Sequence, residues 1–260
     1  MPPRKAEPRL PAPFLQRLSL APGRISDRTA YPFSLPWLRD DAFEMQFTTP
    51  VTILIGENGT GKSTLIEAIA ALSGYDEAGG GKGYRPVDHS NAIDTSGAAL
   101  GDALRAAWLP RVTDGWFFRA ESFYSVARYL DDAAREVGAL GPDFLSYSHG
   151  EGFLRFFSER LSRRGIYFMD EPESALSPKR QLALLRLLHE KQQDASAQII
   201  MATHSPILMA VPRARLLQLT RFGIHETTLR QTAHFKLYQA FAADPEGFIR
   251  DAIEDEDRLA

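Results

Sequence analysis

The segment Val51 to Glu67 reads VTILIGENGTGKSTLIE and narrows the fold more than any other part of the chain. Val51-Thr52-Ile53-Leu54-Ile55 is a short β-branched apolar run, as a strand buried on both faces requires. It stops at Gly56, and Gly56-Glu57-Asn58-Gly59-Thr60-Gly61-Lys62-Ser63 fits G-x-x-x-x-G-K-[ST] without a mismatch. From average composition the four fixed positions match by chance in about one chain of this size in a hundred. The flanking strand and helix patterns make an accident rarer still. A helical pattern follows at once, with Leu65, Ile66, Ile69 and Leu72 on one face and Gly74 placed to stop it.

The spelling has a chemical reason. Glycines let the backbone turn through positive φ and bring successive N–H groups close to phosphate oxygens. The loop feeds a helix N-terminus, whose unpaired N–H groups and dipole favour an anion. The segment therefore predicts a nucleotide phosphate site built from Gly56, Glu57, Asn58, Gly59, Thr60, Gly61, Lys62, Ser63 and Thr64. Lys62 would reach the β- and γ-phosphates, and the Ser63 hydroxyl would ligate Mg²⁺.

Composition sets the outer bounds. The 260 residues suit one α/β domain with insertions, or at most two small ones. An apolar share of 44% is ample for a core. The chain has no cysteine, which excludes disulfides and thiolate metal sites and fits a reducing, cytoplasmic setting. The N-terminal MPPRKAEPRLPAP has positive charge but no apolar core of a secretory signal. No stretch approaches the roughly 20 apolar residues that span a bilayer. A net charge of −3 gives no overall basic footprint for nucleic acid.

Read in order, residues 1–13 form a Pro-rich arm, and a single domain is expected over 14–260, with a helical region at about 122–164. Strands are expected at 14–20 and at 43–47, the second beside the phosphate-loop strand. Tyr31 or Trp37 could stack on a base, although filling the edge of the core is the commoner fate of an aromatic. Residues 75–100, with Gly79-Gly80-Gly81-Lys82-Gly83, read as a flexible connection rather than a second phosphate-contacting loop. Trp116-Phe117-Phe118 is a buried strand leading to a helix over about 123–137. Phe153, Leu154, Phe157 and Leu161 lie at helical spacing. Ile166 to Met169 and Ile199 to Thr203 are further buried strands. Between them, Ser177-Pro178 opens a helix over 178–191 whose Leu182, Leu185 and Leu188 are expected to face the core. A hairpin is expected at 214–220 and 223–230, and the acidic run Glu254 to Asp257 reads as a solvated helix end. Together these elements predict an α/β fold with a mainly parallel sheet, helices on both faces, and a small antiparallel β part near the N-terminus. Gly56, Asp170 and His204 all fall at carboxyl ends of strands, where such folds bind ligands.

Asp170-Glu171 closes an apolar run, the place for an oxygen ligand to a Mg²⁺ that bridges β- and γ-phosphates. Glu171, one peptide on, is placed to orient or deprotonate a water for in-line attack.

With these residues in hand the chain resembles the ATP-binding cassette (ABC) superfamily of P-loop ATPases, over roughly residues 45–210. The motifs come in the family's order: phosphate loop, Ser148-His149-Gly150-Glu151, Asp170-Glu171-Pro172, Ser174-Ala175-Leu176-Ser177, and His204. The run from Ser148 to Glu151 resembles the family's signature, which in SMC-type members reads S-G-G-E, and would be a variant of it. The resemblance implies that Ser148 and Gly150 contact the γ-phosphate bound by a second subunit, through a helix N-terminus pointed across a dimer interface. It also implies that His204 is the switch histidine at the γ-phosphate or attacking water, and that Ser174 to Ser177 is a dimer-facing loop. The sequence departs from the family in three places. No Gln occurs between Gln46 and Gln181. Glu121 is the candidate to replace the missing metal contact, or else a charge that suits its helix N-terminus. His149 stands where the signature has glycine, and Ser177 where the dimer loop has Asp.

Three functions follow as expectations. The first is Mg-dependent ATP binding and hydrolysis by a nucleotide-sandwiched homodimer, similar to SMC- and RecF-like ATPases outside transport. It would act as a switch or motor for an unidentified protein partner. Long coiled-coil arms are excluded, since only about 85 residues separate Lys62 from Ser148 and they carry no sustained heptads. A DNA-facing role stays open, with Arg160, Arg163 and Arg164 forming at most a small patch. The alternative is the ATP-binding subunit of a membrane transporter, whose coupling groove normally lies beside the missing Gln. A P-loop kinase is a third, needing neither signature nor switch histidine.

Overall fold

Along the central strands, neighbouring side chains point to opposite faces, and in this chain both faces are apolar. Ile53 and Ile55 pack on one side of the strand and Leu54 on the other, and Tyr167 and Met169 oppose Ile166 and Phe168 in the same way. A strand with no polar face has to be covered twice, which is the condition for a parallel sheet between two layers. The computed structural model describes residues 10–39, 41–77, 79–82, 96–112, 114–119 and 149–259, with side chains in the last segment from 152 to 254. It shows that arrangement.

The main sheet contains β3 (Val51–Ile55), β4 (Gly80–Gly81), β6 (Gly115–Arg119), β7 (Gly165–Asp170), β8 (Ala197–Ala202), β9 (Arg215–Thr220) and β10 (Gly223–Thr227). Their spatial order is β10-β9-β3-β8-β7-β6-β4. The five central strands are mutually parallel, and β10 and β4 pair antiparallel at the two edges. A second sheet, β2-β1-β5, is antiparallel and joins β1 (Leu15–Leu20), β2 (Glu44–Gln46) and β5 (Leu104–Trp108). The fold is therefore α/β with a mostly parallel sheet and a small antiparallel one, as the sequence predicts.

One layer holds α1 (Lys62–Ser73), α2 (Ser96–Ala103) and the small sheet, which close over Leu54, Phe168, Ile200 and Leu217. The other holds α3 (His149–Leu161), α4 (Pro178–Asp194) and the short α5 (Pro206–Met209). There Phe156 and Phe157 of α3 pack edge-on or tilted against Trp116 and Phe118 of β6, with ring centroids 4.4–5.6 Å apart, and Phe153 packs edge-on against Phe157 at 4.5 Å. Two further helices, α6 (Ala233–Ala243) and α7 (Pro245–Leu259), follow β10. No helix among the described residues is long and apolar enough to cross a membrane.

One buried amide joins the sheets. Gln198 on β8 is fully buried; its Oε1 accepts from the N–H groups of Phe14 (2.8 Å) and Leu15 (2.7 Å), and its Nε2 donates to Leu15 O (3.0 Å). β5 pairs with β1 from Leu15 but β2 only from Arg17, and the Gln198 side chain bonds the backbone before that point.

Several expectations need correction. The strand at 44–46 pairs with β1 and not with the phosphate-loop strand, because its alternating exposed and buried residues fit a half-covered sheet and not a doubly covered one. Residues 75–100 are not simply a connection: Gly80 and Gly81 pair with Phe117 and Trp116, and Ser96–Ala103 is a helix that packs on α1 through Gly97 and Gly101. Gly81, in the run read as a flexible connection, instead allows close approach: a Cβ there would lie 2.8 Å from Trp116 Cζ3. Leu182 is 48% exposed, whereas Leu188 is buried and Leu185 packs partly against the core as expected, with Leu184 buried in place of Leu182. Ser177 holds the N-cap position of α4 without a side-chain cap bond. The hairpin ends at Thr227, and β5 and α6 were not anticipated. The helix expected at about 123–137 lies outside the described residues.

Candidate active site

The loop after β3 is built by backbone conformation. Gly61 is the N-cap of α1 at φ 86°, ψ 23°, and Gly59 has φ 76°. A Cβ on Gly61 would also lie 2.8 Å from Leu35 Cδ1, so glycine is needed there for space as well as for φ. The same approach shows how the loop is braced. Leu35 packs against it, and the buried Trp37 donates its indole N–H to Thr60 O at 2.8 Å. Of the two candidate base-stacking aromatics, Trp37 is thus part of the core edge. Tyr31 is 50% exposed, with its hydroxyl bonded to Thr64 Oγ1 in the first turn of α1.

Lys62 is buried, and its ammonium donates to Gly56 O (3.0 Å) and Glu57 O (3.1 Å). Burial pushes its pKa down, and the charges of Glu171 and Asp170 oppose that shift. Next in the chain, Ser63 Oγ donates to Asp170 Oδ1 at 3.1 Å. A hydroxyl and a carboxylate are hard oxygen donors that suit Mg²⁺, which takes its remaining ligands from phosphate oxygens and water. Ser63 and Asp170 could therefore hold the metal.

β7 and β8 end side by side, and the groups beyond them meet. Glu171 is held at φ 46°, ψ 53°, a conformation that costs a non-glycine residue about 1–2 kcal/mol. The surrounding bonds keep it there: its N–H donates to Ala202 O at 3.0 Å, and its carbonyl accepts from Ser174 N (3.1 Å) and Ser174 Oγ (2.8 Å). Its Oε1 lies 3.5 Å from His204 Nε2, a buried ring atom with no hydrogen bond. Burial and then the Lys62 charge hold the His204 imidazole below its ordinary range, against the pull of Glu171. The site thus favours a neutral ring able to donate one N–H.

Lys62, Ser63, Asp170, Glu171 and His204 are brought together at the carboxyl ends of β3, β7 and β8. Ser148 and Glu121 lie outside the described residues. His149 and Gly150 begin α3, but their side-chain placement, like that of Glu151, is also outside the description.

Four residues that sequence reasoning missed also belong here. Arg119 ends β6 in register with Asp170; its guanidinium lies 2.7 Å from Glu67 Oε1 and 4.0 Å from Asp170 Oδ2. Glu67 stands four residues, one helical turn, after Ser63, and that spacing was the available signal. Glu173 accepts the His204 backbone N–H at 2.5 Å, and burial pushes its carboxyl above the ordinary range. His234 on α6 has its Nε2 at 3.0 Å from His204 Nδ1. No motif pointed to it.

Two family models match the chain. One, described as "AAA domain", covers residues 34–102. The other, described as "AAA domain, putative AbiEii toxin, Type IV TA system", covers 116–210. No curated protein matches. Among solved structures, cbiO1 from Clostridium perfringens, part of the ABC transporter complex cbiONQ, aligns at 14% identity and TM-score 0.46, over 81% of this chain and 91% of that one. The SMC head domain from Thermotoga maritima aligns at 15% identity and TM-score 0.43, over 83% of this chain and 98% of that one. The first AAA match holds the phosphate loop and the second holds Asp170, Glu171 and His204, the groups that meet in space. The chain is thus similar to AAA-domain families over residues 34–102 and 116–210, the two stretches that carry the phosphate loop and the Asp170-Glu171 and His204 motifs.

Proposed function

We propose that this chain binds Mg·ATP at the loop after β3 and hydrolyses it as a homodimer with two nucleotides in the interface. The observation that carries this reading is the meeting of Lys62, Ser63, Asp170, Glu171 and His204 at the ends of parallel strands. The loop N–H groups and the N-terminus of α1 cradle the β- and γ-phosphates. Lys62 turns from its two loop carbonyls to the phosphates and offsets charge that develops during transfer. Mg²⁺, held by Ser63 and Asp170 with Glu121 as a further candidate, would supply electrostatic stabilisation of the same charge. Glu171 orients a water and takes its proton, with the carboxylate fixed from below by its locked backbone. His204 donates its Nε2–H to the terminal phosphate or the water. Ser148 and Gly150 of a second copy complete the site from the N-terminus of α3. Closing on ATP and opening after hydrolysis would serve as a switch or motor for a protein partner.

The Glu171→Gln variant tests this directly. It should keep ATP affinity, lose about 10²- to 10⁴-fold in turnover, and accumulate as an ATP-bound dimer in light scattering. A variant that stays monomeric with full turnover would falsify the assignment.

A further inference from the structure

His204 is held from three sides, and one of its contacts comes from a part of the chain that neither AAA match covers. Its backbone N–H is taken by Glu173 Oε1 at 2.5 Å. Its Nε2 faces Glu171 Oε1 at 3.5 Å. Its Nδ1 lies 3.0 Å from Nε2 of His234, in the first turn of α6, while both matches stop at or before residue 210. Two imidazole nitrogens at that distance share one proton, so one ring donates and the other accepts.

We propose that His234 is a positioning residue for ATP hydrolysis: its Nε2–H donates to Nδ1 of His204 and so keeps the His204 proton on Nε2, facing Glu171 and the terminal phosphate. The inference rests on the ATPase reading above. The reverse arrangement would place the proton on Nδ1 of His204 and turn the bare lone pair of its Nε2 towards the Glu171 carboxylate, which is repulsive. With His234 donating, the N–H on His204 Nε2 faces the Glu171 carboxylate oxygen at 3.5 Å instead, which is attractive. Lys62 and His234 disfavour a second proton on His204, Glu171 and Glu57 favour one, and burial leads the balance towards the neutral ring. The tautomer is then the variable that matters.

Among the described hydrogen bonds, His234 is the group that meets Nδ1 of His204. Beside the ring, between α4, α5 and α6, lies a mainly apolar cavity of about 560 Å³ edged by Pro178, Pro206, Phe235 and Tyr238, with the polar Gln181 and Gln239 also at its wall. Helix α6 has no buried residue, and it is fixed at its start by the buried Thr232, whose Oγ1 accepts the Phe235 N–H at 3.1 Å. The cap at the start of α6 thus helps to fix where His234 stands.

The test uses the full chain labelled with ¹⁵N-histidine. Wild type should show His204 protonated on Nε2, and His234→Leu should shift the ring towards a mixture of tautomers. In the same variant kcat should fall about tenfold, as for loss of the partner that orients a working histidine, with KM for ATP unchanged. His234→Gln keeps a donor nitrogen where Nε2 lies and should restore most of kcat. His234→Glu, an acceptor only, should not. An unmoved His204 tautomer in His234→Leu overturns the inference, as does a loss of kcat that His234→Gln fails to restore. If wild type does not turn over ATP, the ATPase reading falls, while the tautomer comparison still decides the contact proposed here.

Discussion

Ser63 Oγ and Asp170 Oδ1 are hydrogen-bonded at 3.1 Å although 107 residues separate them and strand β8 lies between β3 and β7 in the sheet. The first turn of α1 reaches over β8 to make the contact. The two oxygens proposed to hold the cation are in this way joined by one hydrogen bond.

Asp170→Asn should keep that bond, since an amide oxygen also accepts from a hydroxyl, but it removes the negative charge a metal needs. The fold should survive. Mg-dependent nucleotide affinity should drop by about 10- to 100-fold, whereas affinity measured with a chelator present should change little. Calorimetry with and without Mg²⁺ separates the two; equal losses in both would point to a damaged phosphate loop.

Gly61→Ala places a side chain at φ 86° with its Cβ 2.8 Å from Leu35 Cδ1. The conformation and the clash together should cost about 1–3 kcal/mol, seen as a lower urea midpoint. Because the strain falls on the loop itself, nucleotide affinity should fall as well. Retained affinity with lowered stability would mean that the loop shape tolerates the methyl group.

Gln198→Leu keeps volume in a fully buried position but strands the N–H groups of Phe14 and Leu15 and the carbonyl of Leu15. Each buried polar group left unpaired costs about 1–3 kcal/mol. A loss of about 3 kcal/mol or more should appear in denaturant unfolding. The amides of residues 14 and 15 should exchange with deuterium faster than those of β3. Wild-type stability would show that the β1 ladders and apolar contacts hold the strand without the amide.

Stability should also depend on pH through His204. Its folded-state pKa lies below the ordinary 6.5, so as pH falls through 6.5 the unfolded chain takes up the proton first. This contribution is full above 6.5 and lost as pH drops towards the folded value. Glu173 has the opposite sign: its raised pKa gives a contribution present below the ordinary 4.5 and lost as pH climbs through the folded value. Urea unfolding at several pH values should show a fall below 6.5 that His204→Gln flattens. An unchanged slope in that variant would assign the dependence to another group.

Much of this site is legible in the sequence because its parts are short and local. The phosphate loop needs three glycines, a lysine and a serine in one run, and the strand before it and helix after it carry their own periodicity. Asp170 and His204 could be placed because each follows an apolar run whose end, in a parallel sheet, faces the ligand. Leu182 went wrong for a physical reason: α4 has leucines at 182, 184, 185, 187 and 188, and a helix so rich in leucine does not say which stripe is buried. Residues 44–46 went wrong because a three-residue strand carries too little pattern to name its partner.

The sequence by itself determined the phosphate loop, the doubly buried strands and the order of the acidic and histidine motifs, since each is a matter of neighbouring residues and their spacing. Only the tertiary structure decided that Trp37 braces the loop, that Arg119 stands beside Asp170, that Gln198 ties the sheets, and that His234 meets His204. Those pairings come from segments far apart in the chain, set at distances fixed by strand order and helix packing, and no local pattern of residue types encodes a distance in space.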